Sequence, residues 1–281
     1  MADAIFTPGT CLKKELYQTI INAFLAAGWQ NVSSNPATDF DVLTSPGEDG
    51  DKSLTIQLRP TNTSNGNSVI TTDNNVCSYR LIESYTPGSP GSAGTFGRPS
   101  EAWNNLYIVP STSAVSMDTP MTYWLHVNKN RLIIVIETPP ATGIGPVTHF
   151  IGLPDEVMVS EPGSRGLLVA SSAYSKGNGV VHITNTPGEL APESTSSTRT
   201  IYCQLAPKNP NSAGRHIMSP MKYGNGSESY RGLLSDLFAL PAGSGSTGDI
   251  VMEGPKKYRL IVNQNASYNS FPSTTLAIRI E

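Results

Sequence analysis

Charged residues are scarce in this chain: they make up 15% of the 281 residues, against roughly a quarter in typical globular proteins. Lys and Arg number 19 and Asp and Glu 22, so the formal net charge is −3. The basic residues are scattered, and the only basic doublets are Lys13-Lys14 and Lys256-Lys257. Binding to a phosphate backbone needs a clustered basic surface, so the sequence argues against nucleic acid as a main partner.

Long hydrophobic runs are also missing, because no apolar stretch approaches the ~18 residues that a membrane-spanning helix needs. We therefore expect no membrane partner. The strongest run, residues 132–136, is short, β-branched and soon followed by Pro139-Pro140, which predicts a strand buried on both faces. The Asn-Lys-Asn before it is typical of a turn, so residues 121–137 are predicted to form a β-hairpin.

Cysteines are few, and Cys11, Cys77 and Cys203 are too far apart for CxxC metal or redox pairs. We interpret them as reduced, ordinary residues, which fits synthesis in the cytoplasm. The first residues lack the basic and apolar regions of a signal peptide. A chain of this length can bury a sizeable core, so it needs no disulfides or metal to fold. We also expect no cofactor.

Glycine and proline are plentiful, with 25 and 22 residues, which favours many strands joined by turns over long helices. One helix is predicted near the start, with Thr10 as its cap and Gly28 at its left-handed end. Its apolar side chains recur every three or four residues, as an amphipathic helix requires. This face consists of Leu12, Leu16, Ile20, Phe24 and Ala27.

The fold predicted from these patterns is α+β and β-rich: an N-terminal helix packed on an antiparallel sheet, followed by a β-sandwich- or barrel-like C-terminal part. Residues 1–157 are predicted to form an α+β domain with an N-terminal arm, residues 1–9, and a long loop, residues 86–103. Residues 158–281 are predicted to form a β-rich domain. Within it, residues 227–241 could instead begin with a helical turn.

A search for catalytic patterns finds no GxxxxGK[ST], GxSxG or HExxH motif, and the four histidines lie more than 20 residues apart. The acidic stretch GEDGD, residues 47–51, could hold Ca²⁺, but a turn between two strands explains it better. Asp39 and Asp41 could mimic an acid/base pair, and we interpret them as a solvated strand face. The expectation is that the chain is not an enzyme and has no catalytic, cofactor-binding or metal residues.

Several segments together resemble the virion structural proteins of tailed bacteriophages, and they span most of the chain. These segments are residues 7–29, 78–110, 124–137, 230–241, 248–264 and 269–281. The resemblance implies a structural virion subunit, such as a ring-forming neck, tail-end or baseplate adaptor. It also implies a location in the virion after synthesis in the host cytoplasm. The implied partners are other copies of the chain in a ring or other symmetric oligomer, and further tail or neck proteins.

Contacts between such subunits are predicted at the N-terminal arm and at loop 86–103, which is too long and irregular for a hairpin. Its aromatic residues are interpreted as anchors rather than as a stacking surface for a sugar or a base. The suspected subunit-contact residues are Phe6, Pro8, Tyr85, Phe96, Arg98 and Trp103.

Two other functions stay open at this point. The first is a host-surface or glycan-binding adhesion module of a phage tail, with the C-terminal β-rich part as the reader. The candidate stacking residues for a glycan are Tyr174, Tyr223, Tyr230 and Tyr268. The second is an enzyme such as a cell-wall hydrolase, which the lack of an acid/base or nucleophile set disfavours.

Overall fold

The computed structural model describes residues 5–60, 78–97, 104–105, 116–137, 146–153, 155–156, 166–171, 181–184, 199–202, 212, 217–225, 229–262 and 275–281. These residues are mainly β-strands, as predicted, and they contain two short α-helices and one 3-10 turn. The helical elements are the 3-10 turn Lys13–Glu15, α1 (Leu16–Ala26) and α2 (Pro36–Asp39).

The strands, in chain order, are β1 (Ile5–Leu12), β2 (Gln30–Asn31), β3 (Asp41–Ser45), β4 (Leu54–Arg59), β5 (Ser78–Leu81), β6 (Tyr85–Thr86), β7 (Thr95–Phe96), β8 (Asn104–Asn105), β9 (Pro120–Val127), β10 (Arg131–Ile136), β11 (Val147–Gly152), β12 (Asp155–Glu156), β13 (Gly166–Ser171), β14 (Val181–Thr184), β15 (Arg199–Tyr202), β16 (Ser219–Asn225), β17 (Ser229–Leu240), β18 (Ile250–Glu253), β19 (Lys256–Val262) and β20 (Thr275–Arg279). The stretch that could have begun with a helical turn is thus strand β17.

The described strands pair antiparallel in four sheets. A five-stranded sheet has the order β2-β3-β4-β5-β8, and a six-stranded sheet has the order β1-β9-β10-β11-β13-β14. A seven-stranded sheet has the order β15-β16-β17-β20-β19-β18, with β12 also paired to β17. The pair β6-β7 forms a small ribbon. Strands on either side of residue 157 therefore share both the six-stranded and the seven-stranded sheet.

The predicted hairpin of residues 121–137 is confirmed, and it forms the middle of the six-stranded sheet. Asn128 closes its turn, because its side-chain oxygen accepts hydrogen bonds from the backbone N–H groups of Asn130 (2.9 Å) and Arg131 (3.0 Å). Every residue of β10 is buried, so this strand is covered on both faces. That explains its unbroken apolar run, since a half-exposed strand would alternate with polar residues.

The two faces of the hairpin belong to two different hydrophobic cores. On one face, Leu125 and Ile134 join a first core that also contains buried residues of α1 and of the five-stranded sheet. On the other face, Trp124 and Ile133 join a second core with residues of the seven-stranded sheet. The buried partners on that sheet are Met221, Leu234, Leu237, Ala239, Ile261, Leu276 and Ile278. The alternation of side chains along a strand makes this double burial possible.

The start of the chain differs from the prediction, because the helix begins at Leu16 and residues 5–12 form a strand. This strand pairs along its whole length with β9, from Ile5 opposite Val127 to Leu12 opposite Pro120. Thr-Pro-Gly-Thr, residues 7–10, has poor helix propensity, so pairing wins over the apolar spacing. The described part of the predicted arm thus lies in the chain's own sheet, whereas the left-handed Gly28 (φ 93°) after α1 is confirmed.

The acidic stretch GEDGD is a turn, as predicted, and it docks against the hairpin turn. Ser45 Oγ donates to the carbonyl of Lys129 (2.6 Å), and the N–H of Glu48 donates to Asn130 Oδ1 (2.8 Å). The indole of Trp29 donates to the carbonyl of Asn128 (2.9 Å) in the same turn. Two polar loops therefore satisfy each other beside the first core.

None of the helices in the described ranges is both long and apolar enough to span a membrane.

Replacing Ile134 by Ala should lower the free energy of unfolding by about 2–5 kcal/mol, because the side chain is fully buried and its loss leaves a cavity. Urea unfolding followed by tryptophan fluorescence measures the change. The matched control is Ile250→Ala: Ile250 is 49% exposed in β18, so we expect a loss below about 1 kcal/mol. Equal losses in the two variants would contradict the double burial of the central hairpin.

Candidate functional site

The first part of predicted loop 86–103 is a small ribbon that presents an exposed loop. Tyr85 pairs with Phe96 and Thr86 with Thr95, and their connection, residues 87–94, has the sequence PGSPGSAG. The expectation that this stretch is too irregular for a hairpin is therefore wrong as far as residue 97. Residues 98–103 lie outside the described residues.

A short helix brings a buried carboxylate to the base of this loop. Asn35 caps the start of α2, and its side-chain oxygen accepts from the N–H of Ala37 (3.1 Å), with Pro36 in the first turn. These are the residue types that favour a helix start. Asp39 ends the helix and is only 2% exposed. Phe40 then takes a left-handed backbone (φ 57°), which turns the chain into β3.

Asp39 accepts hydrogen bonds from residues at both ends of the exposed loop, residues 87–94. Its Oδ2 atom accepts from the hydroxyl of Tyr85 and from the backbone N–H of Gly94, each at 2.7 Å. Its Oδ1 atom accepts from the hydroxyl of Thr38 (3.1 Å). Burial alone would raise the pKa of Asp39, but these donors outweigh burial and hold that pKa below its ordinary value. The carboxylate therefore stays charged and fastens the ribbon.

Ser34 and Asn35 hold the middle of the loop from the side. The N–H of Gly88 donates to Ser34 Oγ (2.9 Å), and Ser34 Oγ donates to the carbonyl of Ser92 (3.0 Å). Asn35 Nδ2 donates to the carbonyl of Gly91 (2.9 Å). The loop thus takes its shape from bonds to a separate segment as well as from its own turn. We call Ser34, Asn35, Asp39 and Tyr85 the Asp39 clamp.

Gly94 is needed at the loop's end for a steric reason. A Cβ atom at this position would lie 2.4 Å from Cζ of Tyr85, well inside van der Waals contact. The absence of a side chain lets the backbone N–H of Gly94 reach Asp39 beside the tyrosine ring. Any larger residue here would push Tyr85 away from the carboxylate.

The ribbon is also joined to the five-stranded sheet through aromatic and amide contacts. The ring centres of Tyr85 and Phe96 lie 5.0 Å apart. The guanidinium of Arg80, on β5 of the five-stranded sheet, lies 5.4 Å from the ring centre of Phe96. Gln57 bridges the two sides: its Nε2 donates to the carbonyl of Asp39 (2.7 Å), and its Oε1 accepts from Arg80 Nε (2.6 Å). Burial lowers the pKa of Arg80.

The surface that the Asp39 clamp presents is small, uncharged and open. Most side chains of the loop are exposed, namely Pro87, Ser89, Pro90, Ser92 and Ala93. None of these five side chains carries a charged acid or base. Hydroxyl groups and proline rings cost less to take out of water than charged groups do, provided that the hydroxyls find hydrogen-bond partners.

The suspected contact residues fall in two separate places. Tyr85 and Phe96 stack in the ribbon, whereas Phe6 and Pro8 lie on β1 of the six-stranded sheet. Phe6 is half-buried against the second core, and Pro8 is exposed opposite Trp124. Arg98 and Trp103 lie outside the described residues.

The role of Asp39 was not predicted from the sequence, because the interpretation of Asp39 and Asp41 as a solvated strand face is wrong. Asp39 lies in α2, and Asp41 on β3 is half-buried, with hydrogen bonds from Tyr17 and from Asn31 Nδ2 (2.7 Å). The stretch SNPATD, with Asn before Pro, was the available signal for a short helix.

Two further expectations concern cysteine and metal. Cys11 is a free, half-buried thiol, while Cys77 and Cys203 lie outside the described residues. Within the part of the chain that the structure describes, no three His, Cys, Asp or Glu side chains come together as a metal site.

Comparisons of the chain with protein-family models and with curated proteins find no match.

Replacing Asp39 by Asn should lower the free energy of unfolding by about 1.5–3 kcal/mol, because two charge-assisted hydrogen bonds from Tyr85 and Gly94 are weakened. The exchange of the Gly94 amide hydrogen should become faster. Urea unfolding and hydrogen exchange by mass spectrometry measure the two effects.

The matched control for this change is Asp49→Asn, which makes the same substitution in an exposed turn. We expect it to alter the free energy of unfolding by less than about 0.5 kcal/mol. If both variants leave the exchange of residues 87–94 unchanged, the Asp39 clamp does not hold the loop.

Proposed function

We propose that this chain is a structural subunit of a tailed-bacteriophage virion, in a neck, tail-end or baseplate ring, and that it acts through subunit contacts. One observation carries the proposal: a buried carboxylate and its neighbours fix an exposed, uncharged loop in one shape. The resemblance of six sequence segments to tailed-phage virion proteins supports the same function and names the class of assembly.

The physical reason lies in the free-energy cost of ordering a loop when two subunits associate. Ordering a free loop at an interface consumes part of the binding free energy, whereas a loop that is already fixed avoids this cost. The hydrogen bonds of the Asp39 clamp are made within the chain, so they remain when a partner binds. In a closed ring each subunit makes the same contact twice, once through each of two complementary surfaces. The free energies of these weak contacts together stabilise the ring.

The partner proposed for the loop is an adjacent copy of the chain or a neighbouring tail or neck protein. Tyr85 and Phe96 support the loop from behind, and Arg98 and Trp103 are proposed to extend its contact surface. Phe6 and Pro8 on β1 are proposed as a second, separate contact. Localisation in the virion follows from this function.

We also propose the finer features of the fold on which such a subunit would rely. The buried side chains Leu16, Ile20 and Phe24 of α1 share a core with the five- and six-stranded sheets, which supports a helix packed on a sheet. The second core supports a sandwich-like arrangement of the C-terminal strands. Together they would make a body stiff enough to hold the loop at a fixed angle in a ring.

Mass photometry of the purified chain tests the proposal. We expect a closed oligomer, and we expect the double variant Ser89→Arg, Ala93→Arg to shift it to smaller species, because two charges would be buried at the contact without partners. The melting temperature should stay unchanged, since both residues are exposed.

The control variant Ser53→Arg adds a charge at an exposed site before β4 and should leave the oligomer intact. Cryo-electron microscopy of a particle that contains the protein should show residues 87–94 at an interface of more than ~1,000 Å². A loop facing solvent in an ordered ring would overturn its proposed role. Absence of the chain from purified particles of a phage that encodes it would overturn the function itself.

A further inference from the structure

Four ionisable side chains meet between the six-stranded and the seven-stranded sheet, beside the second core. His126 comes from β9 and Arg131 from β10, while Asp236 comes from β17 and Arg279 from β20. We call these four residues the interlayer charge cluster. Each sheet contributes two of them, so the cluster bridges the two layers.

The single carboxylate of Asp236 is the centre of the cluster. Arg131 donates a hydrogen bond from Nη2 to Asp236 Oδ2, and Arg279 Nη1 lies 3.5 Å from Asp236 Oδ1. Nε2 of His126 lies 3.9 Å from Asp236 Oδ2. The side chains of His126 and Arg131 are each only 5% exposed, and that of Asp236 is 17% exposed. Water is therefore largely excluded from His126 and Arg131, whereas the side chain of Arg279 is 30% exposed.

The backbone at Asp236 points to a constrained position. Its φ of 62° is left-handed, and the only other such non-glycine residue among those described is Phe40. A left-handed L-residue costs roughly 1–2 kcal/mol, so the surrounding contacts must hold it there. This turn of β17 directs the carboxylate toward the arginines of both sheets.

The surroundings of the His126 imidazole disfavour a positive charge on its ring. Its strand neighbours in register are Phe6 on β1 and Ile133 on β10, which are apolar. Its Nδ1 atom is buried, and no described residue hydrogen-bonds to it. A proton on His126 would place a third cation around one carboxylate that already faces two guanidinium groups.

Two other described residues, Arg259 and Glu137, carry charge near this seam. Arg259 on β19 adds another cation on the same side, with its guanidinium 5.0 Å from the ring of Trp124. Glu137, after β10, is an acid whose charge interacts with that of Arg259.

We propose that the interlayer charge cluster is an acid-sensitive latch: protonation of His126 loosens the contact between the six-stranded and the seven-stranded sheet. Near neutral pH the neutral imidazole lets Asp236 pair with Arg131 and Arg279. In mild acid the added charge favours conformations in which the layers separate and water reaches the imidazole. The latch is independent of the proposed assembly function.

The direction of the titration agrees with this latch. Burial lowers the pKa of His126 from 6.5 to about 4, although the charge of Asp236 opposes the shift. The open form therefore binds the proton more readily, and stability is lost as the pH falls from 6.5 toward 4. Burial alone would raise the pKa of Asp236, but Arg131 and His126 hold it below its ordinary value, so Asp236 loses its charge only in stronger acid. Burial raises the pKa of Glu137, which has the opposite effect on stability and offsets part of the loss.

Hydrogen exchange at pH 7.5 and pH 5, corrected for the intrinsic rate of each amide, tests the latch. Between these pH values, we expect the equilibrium constant for opening of β17 and β20 to rise by about 30-fold, from the two pKa values of His126. Amides of β3 and β4, in the five-stranded sheet, should show a smaller change. A uniform change in all strands would mean general acid unfolding and would overturn a local latch.

The variant His126→Gln keeps a neutral polar side chain that cannot take up a proton in this range. Its opening constant should change by less than about 3-fold between the same pH values, because the linked proton is gone. His149→Gln serves as the matched control, since His149 is buried in the same sheet but hydrogen-bonds to Tyr79 (2.6 Å) on the other side. This variant should retain the pH response of β17 and β20.

A direct measurement keeps the proposal open to contradiction if the variants fold poorly. The ring protons of His126 in the unaltered protein, followed by NMR, should show no titration between pH 7.5 and pH 5.5. An imidazole that titrates near pH 6.5 in the folded protein would overturn the latch.

Discussion

The central constraint on this protein is that the middle strands of its six-stranded sheet are covered on both faces. Every residue of β10 is buried, and the strand beside it sends alternate side chains into two different cores. Buried apolar area stabilises this arrangement, at about 25 cal/mol per Å² of surface removed from water. The same burial makes any polar group in these layers costly unless it is paired. Polar groups on both sides of the sheet are accordingly paired, as in Tyr79 with His149 on one side and Asp236 with the arginines around it on the other.

The exposed parts follow a different rule, because apolar burial cannot fix a loop made of Pro, Gly and Ser. The chain uses a buried carboxylate instead, and Asp39 gathers donors from both ends of residues 87–94. A charged acceptor is suited to this task, since its hydrogen bonds are about twice as strong as neutral ones. The Asp39 clamp lies outside the three clusters of buried hydrophobic side chains. Changes to the loop can therefore be made without repacking a core.

Local patterns predicted several elements of the fold correctly. The central hairpin, the turn at residues 47–51 and the left-handed Gly28 all depend on neighbours in sequence, which a periodicity or a turn signal records. The strand at the start was missed, because its apolar spacing fits a helix and only β9, more than a hundred residues later, makes it a strand. The pairing of strands across residue 157 could not be predicted for the same reason, since register between distant strands is set by packing.

Of the candidate site, the sequence predicted Tyr85 and Phe96 as anchors of a long loop, and the structure places their rings together. It did not predict that the hydroxyl of Tyr85 donates a hydrogen bond to a buried Asp39. A carboxylate at residue 39 looks like any exposed acid until a short helix buries it and Gly94 comes within reach. The ionisable residues beside the second core are similarly distant in sequence, and only the stacking of two sheets brings His126 to Asp236.

Pro8 on β1 has a consequence for how copies of this protein can meet. Among the described strands, β1 has a single hydrogen-bonded neighbour, so its other side forms an open edge of the six-stranded sheet. Such edges invite strand addition by a second chain, which leads to uncontrolled aggregation. Proline has no N–H to offer an incoming strand, and here it is exposed in the middle of that edge. Pro8 therefore disfavours the pairing of this edge with a strand of another copy. Copies of the chain would then associate through side-chain surfaces instead.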